Sequence, residues 1–279
     1  MTALPHSPWA EAGGDFTIGL RPIPEAAWLE GGEAEPAGRK DRLLRRHPEL
    51  VWGERPGSRT AQAEALELVR AAVGAAAATD GQPPLLAAAR AVPDDLCLME
   101  KVDGAWRLTA LSLCAPSFFT AADALGKSLA ELHDPVDGFS SRFLRRVERI
   151  FDALRPGLIL ERRNWTVVNS GELFTPHAAP IRARIADIPP QDAGRILHLR
   201  VERQTLRRLP RTGGALFTIR IWRAPLESLA GEPERLAAFA RAWRTARPDF
   251  RNYKGFASYD TLVEAFLRAQ GESYSVNGV

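Results

Sequence analysis

Leu96-Cys-Leu-Met-Glu-Lys-Val102, then Asp103-Gly104, then Trp106-Arg-Leu-Thr-Ala-Leu-Ser-Leu-Cys114 is the stretch whose reading decides the fold. Asp-Gly between two apolar runs is a strong hairpin signal, because a two-residue turn needs positive φ at both positions. In the second run Trp106, Leu108, Ala110 and Ser112 alternate against Arg107, Thr109, Leu111 and Leu113, the period-two pattern of a strand. Downstream the period changes. Leu125, Leu129 and Leu132 share one helical face. Phe143, Val147, Ile150, Phe151 and Leu154 share another, within a helical stretch expected from Ser117 to Leu154 and broken at Asp134-Pro-Val-Asp-Gly138. Strands resume at Leu158–Val168, Arg195–Leu206 and Ala215–Trp222, with Pro210-Arg-Thr-Gly-Gly214 as the last hairpin. Two strands, several helices, then three strands is the PAS order. The expected class is α+β: a PAS-like antiparallel five-stranded sheet with helices on one face, an arrangement that encloses a ligand pocket.

Upstream of the hairpin, Phe16-Thr-Ile-Gly-Leu20 reads as a short strand or extended arm, and Glu30–Gly38 as a loop. Arg39–Leu50 reads as a basic helix. Ser58 or Thr60 can cap a helix running to about Ala78, and Leu85–Arg90 is a further short one. Beyond Pro225 the chain turns helical again, with Leu236, Phe239, Ala240 and Trp243 on one face and Leu262, Val263, Phe266 and Leu267 on another. The expected organisation is one unit over 1–279. It comprises an N-terminal arm and helices (1–94), a PAS-like core (95–224) and C-terminal helices (225–279).

The chain has 279 residues, 45% hydrophobic and 25% charged, proportions that exclude a disordered, collagen-like or coiled-coil chain. No apolar run approaches the ~20 residues of a bilayer span, and no charged-then-apolar leader opens the chain, so a cytoplasmic protein is expected. Basic and acidic residues nearly balance, 37 against 34. Of the 37, four are lysines (Lys40, Lys101, Lys127, Lys254) and the other 33 are arginines. The basic helix carries Arg39, Lys40, Arg42, Arg45 and Arg46 without aromatic or polar base readers beside them, which argues against nucleic acid.

Two cysteines, Cys97 and Cys114, make neither a disulfide framework nor a protein-held iron–sulfur cluster. G-x-G-x-x-G after a strand, G-x-x-x-x-G-K-[ST], H-E-x-x-H, C-x-x-C and G-x-S-x-G are all missing. Five histidines remain. His6 and His47 do not look like ligands, and His177 in its Thr-Pro-His-Ala-Ala-Pro loop is expected at the surface. His198 lies in a strand. His133 ends an apolar helix just before Pro135, where an axial imidazole and an apolar slot coincide as haem requires. The competing assignment is a helix C-terminal histidine stabilised by the macrodipole.

Arg200-Val-Glu-Arg-Gln-Thr-Leu-Arg-Arg-Leu-Pro210 is the densest polar strand. Alternation puts Arg200, Glu202, Gln204 and Leu206 on one face and Val201, Arg203, Thr205 and Arg207 on the other. An inward Arg200/Glu202/Gln204 face would bring charge into the pocket, which is tolerated when paired or used. A solvated face with cross-strand ion pairs is the alternative.

Several segments resemble the alpha subunit of haem-dependent oxidative N-demethylase. They are Phe16–Leu20; Leu125-Gly-Lys-Ser-Leu-Ala-Glu-Leu-His-Asp-Pro-Val136; Arg163-Asn-Trp165 with Leu173-Phe-Thr-Pro176; and above all Leu199–Pro210 leading to Leu216-Phe-Thr-Ile-Arg220. They run in the family's order over most of the chain. The resemblance implies a PAS-like fold holding b-type haem and oxidation of a methylamine C–H bond with O2. It also implies a partner subunit carrying flavin (FMN) and an iron–sulfur cluster, fed by NADPH. One departure is Asp137, where the family tends to continue with a second proline.

For that chemistry His133, ending an apolar helix in the matching segment, is the expected iron ligand, and alternation makes Glu202 the carboxylate for an ammonium-like substrate. Arg220 is the candidate cation for reduced oxygen, and Arg203 or Arg207 for the haem propionates. The Arg39–Arg46 helix is a candidate dock for the reductase. Two further readings stay open: a haem-binding PAS sensor or non-catalytic paralogue, and an interaction module without haem.

Overall fold

Asp103 and Gly104 hold φ of 51° and 80°, the double positive φ of a tight hairpin. The turn joins the third and fourth strands of a seven-stranded sheet seen in a computed structural model, which describes residues 4–12, 19–30, 36–74, 81–133 and 141–272. The strands are β1 (Arg21–Ile23), β2 (Trp52–Glu54), β3 (Asp95–Val102), β4 (Ala105–Ser112), β5 (Ile159–Val168), β6 (His198–Arg208) and β7 (Ala215–Pro225). They lie in the order β1-β5-β6-β7-β3-β4-β2, with every pair antiparallel.

The fold is therefore α+β, as expected, but the sheet has seven strands rather than five. The two added strands are three residues each, too short for alternation to show in the sequence. β1 starts one residue after the expected arm, which falls largely outside the described residues. Both added strands cap the sheet edges and come from the N-terminal segment, pairing with β5 and β4.

The helices used below are α1 (Pro8–Ala12), α2 (Pro36–Arg46), α3 (Arg59–Val73), α4 (Pro84–Arg90), α5 (Ala121–Ala124), α6 (Leu129–His133), α7 (Ser141–Ala153), α8 (Pro233–Thr245), α9 (Pro248–Lys254) and α10 (Asp260–Ala269). The expected stretch from Ser117 to Leu154 is not one helix. Two capping boxes divide it, Thr120 with Asp123 at α5 and Ser128 with Glu131 at α6. Gly126, at φ 81°, turns the chain between them. The break expected at Asp134–Gly138 lies outside the described residues.

Period-two alternation gives the sheet two chemically different faces. On the front, Leu160, Leu206, Phe217, Ile219, Cys97 and Met99 pack with α5, α6 and α7. On the rear, Leu96, Leu98, Ile159 and Leu216 pack against α3 and α4. Trp165, Val167, Leu199 and Val201 pack against α1, α8, α9 and α10. The rear core is fully buried: Leu96, Leu98, Leu199, Val201 and Leu216 are each 0% exposed.

Candidate functional site

β6 is flanked by β5 and β7, so its front-facing side chains are held from both sides. Glu202 lies in register between Asn164 and Ile221, and Gln204 between Arg162 and Ile219. The Glu202 carboxylate accepts from the Ser117 hydroxyl at 2.7 Å, from Gln204 Nε2 at 3.0 Å and from Asn164 Nδ2 at 3.5 Å. The Ser117 hydroxyl itself accepts from Arg200 Nε at 3.0 Å. Arginine only donates and an ionised carboxylate only accepts, so the Ser117 proton points at Glu202.

Arg200 is 1% exposed, and its remaining donors reach the carbonyls of Ala115 (2.7 Å), Pro116 (3.0 Å) and Leu173 (3.3 Å). That clamp fixes two loops beside Glu202. The first contains Phe118 in the left-handed region at φ 67°, a conformation costing about 1–3 kcal/mol for a residue with a side chain.

Two more cations face this carboxylate. Arg162 projects from β5 diagonally across from Glu202. Lys254 arrives on the last turn of α9, which ends at Gly255 with φ 64° and its N–H on the Arg251 carbonyl. The same helix packs Phe250 against Trp165 of the rear cluster, with ring centres 6.2 Å apart. α9 thus reaches from the rear aromatic core to the front-face charges.

Burial pushes the Glu202 carboxyl up, but Lys254, Arg200, the Ser117 hydroxyl and Arg162 together hold it below the ordinary carboxylate range. Burial pulls Lys254 down to about 8 despite Glu202. Tyr253 is pushed up by burial and by Glu202.

His133 is the last residue of α6, above the same face. Its Nδ1 lies 2.6 Å from the Leu129 carbonyl. In neutral imidazole that bond puts the proton on Nδ1 and the lone pair on Nε2. Burial, opposed by the Leu129 bond and aided by Arg162, lowers its pKa. Arg162 therefore acts electrostatically on both His133 and Glu202. Around them Leu132, Leu144, Val147, Leu160, Phe217 and Ile219 are only half-buried, although the last two sit on the central strand of the sheet. The front face thus sets partly buried apolar side chains beside a charged cluster.

The structure does not bring the other expected site residues here. Arg203, Arg207 and Arg220 all face the rear. Arg203 is 1% exposed and binds Glu161 at 2.5 Å and the Trp28 carbonyl at 2.7 Å. Arg21 and Arg163 complete the Glu161 cluster at 3.0 Å each. Arg207 bonds Glu25 at 2.7 Å and lies 4.4 Å over the Trp28 ring. Arg220 lies beside Asp94 and over Trp222 at 5.3 Å. Arg203 and Arg207 tie the N-terminal arm and the sheet together.

Of the other histidines, His6 pairs with Glu30, His47 stacks on Phe174 and His198 bonds the Ile196 carbonyl. His177 is exposed, as expected. In α2, Lys40 is buried and bonds the Asp94 carbonyl, and Arg39 bonds the Cys114 and Pro93 carbonyls; Arg42, Arg45 and Arg46 lie on the outer side of the helix.

The family model for haem-dependent oxidative N-demethylase, alpha subunit-like, matches residues 72–264. That is about two thirds of the chain and includes α6, the central five strands and α9. The chain belongs to this family. The name carries haem with it, and the front recess suits that group. The groups this face could set against such a cofactor are the partly buried Leu160, Phe217 and Ile219, the His133 imidazole and the Arg162 and Lys254 cations. Among the described residues no three His, Cys, Asp or Glu side chains gather as a metal cage. No helix among the described residues is long and apolar enough to cross a membrane.

Arg162 and Lys254 escaped the sequence reading. Both left a trace in it. Arg162 interrupts the front-face series of β5 between Leu160 and Asn164. Lys254 is one of four lysines in a chain that otherwise uses arginine, and lysine is the cation whose pKa responds to burial.

Proposed function

We propose that this chain is the haem-binding subunit of an oxygenase that removes a methyl group from a small amine as formaldehyde. The observation that supports it best is the Glu202 carboxylate, fixed by three hydrogen bonds on the recess face that α6 covers with His133. The order of the five central strands, with the helices of the β4–β5 connection laid over one face, supports the PAS-like reading. The reaction balances when one N-methyl amine, one O2, two electrons and two protons give the demethylated amine, formaldehyde and water.

His133 would hold the iron through Nε2. When bound, haem supplies the activation of O2. Glu202 binds the substrate ammonium, and Ser117, Gln204 and Asn164 keep its carboxylate aimed. Leu160, Phe217 and Ile219 exclude water from the methyl group. No nucleotide, flavin or iron–sulfur motif is present in the sequence. The family resemblance supports a partner reductase carrying flavin and an iron–sulfur cluster and fed by NADPH as the source of the two electrons, with Arg42, Arg45 and Arg46 on the outer side of α2 as its dock.

The test is an absorption spectrum of the haem-reconstituted chain, followed by a formaldehyde assay with a methylated amine, NADPH and O2, with and without a reductase. A Soret band, and formaldehyde only with the reductase at a rate falling with salt, is expected. A Soret band without turnover in any arm points to the sensor or non-catalytic reading. No Soret band removes haem altogether.

A further inference from the structure

Arg162 and Lys254 carry two positive charges in one recess. Among the described residues neither forms a hydrogen bond or an ion pair. The Lys254 ammonium rests 4.8 Å from the Tyr253 ring and 5.8 Å from the Phe250 ring, and Arg162 Nε is buried with no acceptor among the described residues. An unpaired buried donor costs about 1–3 kcal/mol, and the side chain of Arg162 is only partly buried, which leaves its guanidinium open to an incoming acceptor. Both cations act on Glu202 without closing onto it. The Glu202 oxygens are already held by Ser117, Gln204 and Asn164. Arg200 is shared between Glu202 and Asp95, whereas Arg162 and Lys254 have Glu202 as the one carboxylate acting on both, which leaves surplus positive charge on their side.

We infer that Arg162 and Lys254 form a carboxylate-binding subsite in the front recess, across from Glu202. A guanidinium offers a planar fork and a short-reach ammonium a second point of attachment, the donor set that carboxylates take. The carboxylate can come from two sources. One is a haem propionate, which would place the group's acidic side at α9 and leave the rear-face Arg203 and Arg207 to the ion pairs they already make. The other is the substrate itself, a zwitterionic N-methyl amino acid with its ammonium at Glu202 and its carboxylate at Arg162 and Lys254. The inference rests on the haem reading only for the first source.

The experiment uses the full chain as wild type, Arg162→Met and Lys254→Met; methionine keeps the apolar stem of each side chain. Each is titrated with haem and with haem dimethyl ester, following the Soret band. Each is also titrated with N-methylglycine and with dimethylamine by calorimetry, before and after haem loading. Circular dichroism and melting confirm that the variants fold; Arg162→Gln and Lys254→Gln replace any that do not.

A propionate subsite gives haem binding at least tenfold tighter than its ester in wild type, with that preference lost in the variants. A substrate subsite leaves haem binding unchanged and gives a wild-type preference for N-methylglycine over dimethylamine of tenfold or more, again lost in the variants. Variants that bind both porphyrins and both amines as wild type does overturn the inference while leaving the haem reading intact. Failure of wild type to show any Soret band overturns the haem reading instead. The subsite then stands or falls on whether the unloaded chain prefers N-methylglycine through Arg162 and Lys254.

Discussion

Glu202 and Arg220 sit on neighbouring strands of one sheet and face opposite ways. In register Glu202 pairs with Ile221, and Arg220 pairs with Arg203. A carboxylate and a guanidinium that sequence chemistry would place at one reacting centre are thus separated by the sheet itself. The two residues answer to different forces. Glu202 is surrounded by donors on the front face, whereas Arg220 is a buried counter-charge to Asp94 on the rear.

Substitution should separate the two roles. Glu202→Gln is expected to keep fold and haem and to weaken amine binding roughly tenfold to a hundredfold, the loss of one charge-assisted contact of about 1.5–3 kcal/mol. Arg220→Met is expected to lower unfolding stability by about 3–5 kcal/mol, because it leaves Asp94 buried with less compensation, and to leave amine affinity of the folded fraction unchanged. Urea melts and amine titrations on the two variants check this. Unchanged amine affinity in Glu202→Gln would assign that carboxylate to supporting Arg200.

For His133 the expected consequence is spectroscopic. His133→Ala should lose most bound haem while retaining its circular dichroism, and added imidazole should restore part of the Soret band. His177→Ala and His198→Ala should bind haem as wild type does, since His177 lies at the surface and the His198 ring is held against the Ile196 carbonyl. Wild-type Soret intensity in His133→Ala transfers the ligand elsewhere.

The sheet was legible because β3 to β7 are long enough for alternation to repeat, and the Asp103-Gly104 turn has a unique backbone requirement. β1 and β2 were not, since three residues show no period. Alternation also assigned Glu202 and Gln204 to one face and Arg203 and Arg207 to the other. What it could not supply was which residues of distant segments share that face. Lys254 acts on Glu202 from 52 residues downstream, carried by a helix that packs Phe250 against Trp165. Arg220 was placed with Glu202 because adjacent strands put charges near each other along the backbone, but the parity of the cross-strand register sends them apart. Ahead of the break expected at Asp134–Gly138, the helical stretch reads as continuous because Leu125, Leu129 and Leu132 keep a helical period across the cap at Ser128.

A structural prediction concerns the last hairpin. Glu64 of α3 accepts from the backbone N–H of Arg211 at 2.6 Å, and from the N–H and hydroxyl of Thr212 at 2.8 and 2.7 Å. Burial pushes its carboxyl up, but these bonds and Arg211 hold it below the ordinary value of 4.5. Glu64→Ala strands three donors at the β6–β7 turn and should cost about 2 kcal/mol, lowering the melting temperature by roughly 4–8 °C. The contribution is present above pH 4.5 and is lost as pH falls through the depressed folded value, so the difference between the two proteins should shrink in acid. Melting curves at about pH 7 and about pH 4 decide; an equal difference at both removes the carboxylate from the argument.

Asp94 titrates in the opposite sense. It is 0% exposed, and neither carboxylate oxygen has a hydrogen-bond partner among the described residues. Burial, resisted by Arg220, Lys40 and Arg203, pushes its pKa up to about 6. A raised carboxyl stabilises the fold when protonated, below its unfolded value of 3.8, and that stabilisation disappears as pH rises through 6. At neutral pH the buried charge is therefore a cost, which Asp94→Asn removes while leaving the backbone carbonyl that Lys40 binds. The variant should be more stable than wild type at about pH 8, by up to about 3 kcal/mol at ~1.4 kcal/mol per pKa unit. The advantage should shrink between about pH 6 and about pH 4. Chemical denaturation at these three pH values measures it, and an asparagine variant less stable than wild type at the highest would show that Asp94 is held ionised by Arg220 rather than burdened by burial.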